Sequence, residues 1–364
     1  MQIAAVLAHL ESIAPLSLQE KYDNAGLLTG SGSWECSGVL TTLDATEAVV
    51  EEAIARKCNL IVAHHPIIFA GLKKITGRNY VERTVISAIK NDIAIYAIHT
   101  NLDNIAEGVN GRIAAKLGLV NCRILAPREG VLLKLFCFVP TSHLETVRNA
   151  IFAAGGGHIG DYQEASFNAG GIGTFKGGAG THPFIGKPGV REEVEETRLE
   201  VILPVSLCGQ IIKAMIAAHP YEEPAYDIVD LRNTHQGVGS GLIGELPEEL
   251  EEEAFLARLK LVFGLRVLRH TSLTGRPVRS CALCGGAGSF LITNALAAGV
   301  NFYITSDVKY HEFFDADGRL VIADIGHYES EQFTIDLLFE VLREKFPSFA
   351  VLKSGLVTNP VHYY

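Results

Sequence analysis

The sequence predicts an α/β protein: a split domain of two similar halves, each a parallel-rich sheet flanked by helices, with a ferredoxin-like α+β domain inserted between them. Three observations carry that prediction. Short, continuously apolar runs alternate with helical stretches over 38–125, the same alternation returns over 280–352, and a region of different, glycine-rich texture separates them. Buried parallel strands read as unbroken apolar runs because helices cover both of their faces.

In the first block, Val39–Asp44 reads as a strand, followed by a helix over about 46–57 with Thr46 as N-cap and Glu47 in its first turn. Asn59–Ala63 is the second strand, then come a helix over about 79–91, the strand Ile93–Ile98 and a helix over about 107–118 that ends at Gly118, a βαβαβ order. In the middle region Val131–Val139 is strand-like, and Thr141–Ala154 is a helix closed by Gly155-Gly156-Gly157. A strand-loop-strand stretch over about 161–200, the strand Arg198–Leu203, a helix over 206–218 and the strand Tyr226–Asp230 complete a β-α-β-β-α-β order, as in a ferredoxin-like module. The last block offers strands at Ser280–Cys284, Asn301–Thr305 and Leu320–Asp324, a helix over about 289–298, and one long helix from near His327 to about Lys345. The expected boundaries are 1–128 with 241–364 for the α/β domain and 129–240 for the insert.

Composition narrows the function classes. The 364 residues suffice for about two or three domains. With 48% hydrophobic and 20% charged residues, disordered and collagen-like chains are excluded. A net charge of −10 argues against coating nucleic acid or an anionic membrane, so nucleic acid is not an expected partner. No apolar run approaches the roughly 20 residues of a membrane span. The apolar start lacks a basic region and meets Glu11 early, which fits an amphipathic helix better than a signal peptide. Seven scattered cysteines predict reduced thiols and a cytoplasmic location, and Cys281-x-x-Cys284 has no second pair to complete a structural zinc site.

The chemistry-bearing residues gather at predicted strand ends, where open parallel sheets bind ligands. His64-His65-Pro66 closes the second strand, and Pro66, with no N–H for the ladder, stops the strand so that both imidazoles can converge. Taken alone, such a pair is more often incidental than ligating. His99-Thr100-Asn101-Leu102-Asp103 follows the third strand, where Asp103 reads equally well as a helix cap. His327 and Glu331, after the strand ending at Asp324, are four apart and share one helix face, with Glu329 pointing elsewhere. The conjunction decides: His64, His65, Asp103, His327 and Glu331 exceed the usual three protein ligands of an open mononuclear zinc site. They suit two ions about 3.5–4 Å apart sharing a carboxylate, with zinc, iron or manganese all compatible. His99 and His311 are acid/base or orienting candidates. The glycine-rich Cys284–Ser289 turn could present N–H groups to a phosphate, but no Lys-Ser/Thr follows it and close strand–helix packing is the expected role. The glycine tract at 170–180 is expected to be a mobile connector, and Glu192–Glu196 a solvated stretch.

Five stretches, Asp23-Asn24-Ala25-Gly26-Leu27, His64-His65-Pro66, His99–Asp103, Ser306–His311 and Gly326–Glu331, together give the chain a resemblance to the GTP cyclohydrolase 1 type 2 homolog family, also called the NGG-interacting-factor-three-like proteins. Ser306 departs from the glycine of many relatives without removing a ligand. The resemblance implies that His64, His65, Asp103, His327 and Glu331 form a dinuclear metal site, and that the protein assembles as a toroidal homohexamer with these sites facing an internal cavity. It also implies a PII/CutA-like insert, whose hallmark is similar to His219–Tyr226 here.

The expected function is a metal-dependent hydrolase using two divalent transition-metal ions, with Glu331, His99 and His311 as catalytic candidates and Glu331 favoured over Asp103 as the bridge. An anionic small molecule such as a nucleotide is the expected substrate, since metal ions attract anions. The alternative is a non-enzymatic regulatory or scaffold hexamer whose insert senses a small molecule.

Overall fold

Val39–Asp44 and Leu60–His65 are buried along nearly their whole length, and a strand covered on both faces belongs in the middle of a sheet. A computed structural model describes residues 1–364 and puts these strands at the centre of a five-stranded sheet. Its order is Gly26–Thr29, Ala94–Ala97, Leu60–His65, Val39–Asp44, Val351–Lys353, parallel except for the first, antiparallel edge. Thr46 caps the following helix Glu47–Ala55 by accepting from the amide of Val49 at 3.3 Å.

A second, six-stranded sheet runs Arg269–His270, Val321–Asp324, Phe302–Ser306, Val278–Ala287, His235–Leu250, Val120–Arg128. Its three inner strands from Val278 to Asp324 are parallel, while Arg269–His270 and His235–Leu250 pair antiparallel. Val62 and Tyr96 of the first sheet and Phe302, Ile304 and Val321 of the second belong to one apolar core, which Phe255 joins with its ring 5.0 Å from that of Phe302. Each sheet therefore turns one face toward the shared core, and the carboxyl ends of the strands can supply residues to one site. The mixed α/β class holds, with antiparallel edges added to the parallel centres.

The chain divides into two compact units, Met1–Ala126 with Gly237–Tyr364, and Pro127–Gln236. In the second unit the elements follow the order Leu132–Pro140, helix Leu144–Ala153, Ser166–Lys176, Arg191–Pro204, helix Cys208–Ala218, Tyr226–Asp230. The sheet order is Ser166–Lys176, Arg191–Pro204, Leu132–Pro140, Tyr226–Asp230, with every pair antiparallel. No helix is long and apolar enough to cross a membrane.

Two expectations need correction. The long helix from His327 is two, His327–Glu331 and Thr334–Lys345, interrupted where Phe333 turns in against Phe263 with ring centroids 5.6 Å apart. The tract from Gly170 is not a connector: through Lys176 it is strand, paired residue for residue with its neighbour. The charged run Glu192–Glu196 opposite it lies in that neighbouring strand and stays exposed or half-buried. A Cβ on Gly173 would stand 2.0 Å from the Glu196 carboxylate, which accepts from the Tyr221 hydroxyl at 2.8 Å.

Glu252, buried at the start of the helix Glu252–Phe263, accepts from the amide and hydroxyl of Thr274 at 2.9 and 2.7 Å and from the Gly275 amide at 2.8 Å. Burial acts to raise its carboxyl pKa, but these hydrogen bonds bring it below the usual value. A lowered folded-state pKa contributes stability above the unfolded value and loses it as pH falls. Glu252→Ala should cost about 1–3 kcal/mol in urea melts at pH 7, and the difference from wild type should shrink below about pH 4.

Candidate metal centre

The parallel register sets Asp44 directly beside His65 at the ends of their strands. His64 and His65 are consecutive, yet their ring centroids lie only 4.9 Å apart because the strand ends here, before Pro66. His327 enters from the second sheet through the turn after Val321–Asp324, its ring centroid 5.3 Å from that of His65. Glu331, one turn later on the short helix His327–Glu331, is buried among them.

Each imidazole is oriented by its Nδ1. His64 donates to the Ile98 carbonyl at 2.9 Å, His65 to Asp44 Oδ1 at 2.8 Å, and His327 to Asp307 Oδ2 at 2.6 Å. Carbonyls and carboxylates only accept, so Nδ1 carries the proton and Nε2 is turned inward, the arrangement of metal-binding histidines. His64 Nε2 lies 3.7 Å from both Asp103 Oδ1 and Glu331 Oε1. His65 Nε2 and His327 Nε2 lie 3.0 and 3.2 Å from Glu331 Oε2. One carboxylate thus turns one oxygen to His64 and the other to the remaining pair.

Four of these atoms, His64 Nε2, His65 Nε2, Asp103 Oδ1 and Glu331 Oε2, are buried without a hydrogen-bond partner. Buried polar atoms left unpaired cost free energy, and a converging set of nitrogen and oxygen donors is what a divalent ion would satisfy. Burial raises the pKa of Asp103 well above the usual range, reinforced by the charge of Glu331. Burial would also raise that of Glu331, but the imidazoles of His327, His64 and His65 hold it well below normal. His64 is pushed down by burial, with His65 and His99 adding to the effect. The donor set could hold a metal ion: in each of the groups His64–His65–His99 and His65–His327–Glu331 the ligand atoms lie within 4.8 Å of one another, and imidazole with carboxylate suits such an ion.

Of the sequence-derived residues, the structure brings together His64, His65, Asp103, His327, Glu331 and His99. The His99 ring centroid is 5.3 and 5.4 Å from those of His64 and His65. Its Nδ1 donates to Asp23 Oδ1 at 2.7 Å. Asp23 also accepts from the amide of Thr100 at 3.0 Å and from its hydroxyl. Against the opposing effect of burial, the hydrogen bonds from His99 and Thr100 lower the Asp23 carboxyl to about 2. His311 is not brought in. It is exposed on the segment Tyr310–Ala316, against Tyr310 and Phe314, and does not line the cleft over the centre. Glu329 lines that cleft and accepts from Asn359 at 3.0 Å.

The strand Val278–Ala287 runs on through the glycines expected to form a turn. The amides of Gly285 and Gly286 donate to Asn110 Oδ1 and Ser330 Oγ, both at 2.9 Å, and so serve packing. Asp44, Asp23 and Asp307 were missed as imidazole partners. The end-of-strand position of Asp44 was one available signal, and Asp23 and Asp307 lie in stretches that carry the family resemblance. Asp44 also accepts from the Thr358 hydroxyl. Asp44→Ala should lower metal affinity about 10–100-fold, the usual cost of losing such a partner, measured by titration with a competing chelator.

A family model described as Duf34/NIF3 (NGG1p interacting factor 3) matches residues 1–360. A Halalkalibacterium halodurans protein named GTP cyclohydrolase 1 type 2 homolog is 41% identical over 361 residues, spanning 98% of this chain and 97% of its own. A Bacillus subtilis protein of the same name is 38% identical, spanning 89% and 87%. Among solved structures, a Bacillus cereus protein related to NIF3 has a TM-score of 0.86 at 38% identity, covering 100% of this chain and 99% of its own.

Proposed function

We propose that this chain, which belongs to the Duf34/NIF3 family, holds two divalent transition-metal ions on His64, His65, Asp103, His327 and Glu331 and uses them to hydrolyse a small molecule. The observation that carries the reading is the set of buried, unpartnered donor atoms turned toward one another by oriented imidazoles. Glu331 would be the ligand shared by both ions, because its two oxygens address the two sides of the donor set. Bound ions would supply Lewis acidity and a water that loses its proton near neutral pH. The relatives' name makes cyclohydrolase chemistry a candidate reaction.

His99 is the acid/base group on this reading. Asp23 accepts from its Nδ1–H and so orients the ring, which lines the cleft beside His64 and His65. The test is a screen of the metal-loaded protein against p-nitrophenyl esters, p-nitrophenyl phosphodiesters and nucleosides. Turnover that depends on metal, and that His99→Gln lowers about 10²–10⁴-fold at unchanged metal content, is expected. Metal-independent turnover, or none on any substrate, counts against the hydrolase.

The same proposal includes self-association as a toroidal hexamer and a PII/CutA-like role for the inserted unit. Its outer strands support association, since Phe167, Ile172, Ile228 and Val229 are exposed there. Light scattering on the purified protein tests it, with a mass of about six chains expected. If the hexamer forms but the hydrolase screen fails, a scaffold or sensor becomes the better reading.

A further inference from the structure

The cleft over the metal centre has a volume of about 1230 Å³, large enough for a ring system and its substituents. Its wall is unlike that of an anion site. Besides Asp103 and Glu331 it carries the carboxylates of Glu20, Asp44, Asp307, Asp324 and Glu329. Arg269 is the one Lys or Arg in the wall, and its guanidinium is already engaged, bonded to Asp324 and to the Val308 carbonyl and stacked over Phe313 at 5.3 Å. Seven carboxylates against one guanidinium leave a deficit that the four charges of two divalent ions do not cover. The amides of Gly285 and Gly286, the natural backbone donors for a phosphate, are committed to Asn110 and Ser330.

The rim is aromatic. Tyr22 and Phe69 stand 6.3 Å apart, 65% and 52% exposed, and Phe290 is 63% exposed. Tyr328 and Tyr363 add further rings. Exposed faces of this kind recognise flat rings by stacking and cations through the ring quadrupole. Carboxylates beside them favour the same ligands and repel anions.

We infer that the cleft selects an uncharged or cationic, ring-bearing molecule without phosphate groups. This deepens the hydrolase reading and rests on it, naming the class of substrate that reaches the ions. The wall opposes the nucleotide expected from the ions alone: a triphosphate would bring several negative charges into a cleft that has no free cationic side chain to receive them.

The test is equilibrium dialysis of adenosine and ATP against the metal-loaded whole chain, with metal content measured on the recovered protein. Adenosine should bind at least about tenfold more tightly than ATP, and added salt should narrow the gap by screening the carboxylates. Tyr22→Ala and Phe290→Ala should each weaken adenosine binding roughly fivefold while leaving metal content unchanged. Equal or tighter binding of ATP, failure of adenosine to bind, or wild-type affinity in both variants would overturn the inference. Ions present with ATP preferred defeats the substrate class alone, whereas absent ions defeat the metal reading beneath it.

Discussion

Glu331→Gln is expected to lower metal affinity by well over a hundredfold while the protein stays folded. Glu331 is the one side chain that approaches all three imidazoles, His64 at 3.7 Å, His65 at 3.0 Å and His327 at 3.2 Å. The amide keeps the shape but loses the charge, and it can turn an N–H toward a nitrogen lone pair. Loss of an orienting partner alone costs about 10–100-fold, so loss of the shared ligand should cost more. Stability should fall, because the imidazoles of His327, His64 and His65 hold the ionised carboxylate well below its usual pKa and the amide loses that pairing. Metal content by elemental analysis, read beside a thermal melt, checks both halves. Wild-type metal content in a folded variant would remove Glu331 from the ligand set.

Gly286→Ala should damage the same centre from the backbone side. Gly286 has φ +65°, the left-handed region, and an added Cβ would stand 2.3 Å from Glu331 Oε1. The strain alone is worth about 1–3 kcal/mol, and the contact forces the Glu331 carboxylate to move. The expected result is a modestly lower melting temperature with metal affinity down at least about tenfold. A control at Gly299, also at positive φ (70°) but with no atom within 4 Å of an added Cβ, separates strain from the clash. Gly299→Ala should lose stability and keep its metal.

Much of this centre was legible because parallel strands announce themselves as apolar runs, and the residues just beyond such runs lie on one edge of the sheet. That argument, with the helical spacing of His327 and Glu331, picks out His64, His65, Asp103, His327 and Glu331, which the structure brings together. Their orienting partners were not. Asp44 ends a strand that the sequence marks clearly, but its place beside His65 depends on sheet register, which no local pattern encodes. Asp23 and Asp307 sit in irregular segments outside helix and strand, Asp307 at φ +56°, and reach their histidines only through tertiary structure.

The fold shows the same division. His235–Leu250 carries four glycines and Pro247, so it lacks the alternation that marks a strand, and its antiparallel place in the second sheet was invisible. The break between His327–Glu331 and Thr334–Lys345 was missed because every residue across it tolerates helix. Packing of Phe333 against Phe263, a contact 70 residues distant in sequence, accompanies it. His311 shared the local look of a site residue, a histidine soon after a strand, and only the exposed course of Tyr310–Ala316 removes it from the cleft.

The central claim is that two ions sit on residues drawn from both sheets. Elemental analysis of the purified wild-type protein beside His64→Ala and His327→Ala tests it most directly, because the two histidines come from different halves of the chain. The account predicts about two transition-metal ions per wild-type chain, with the content falling in both variants. No bound metal in the wild type, or a content that neither substitution changes, would contradict it.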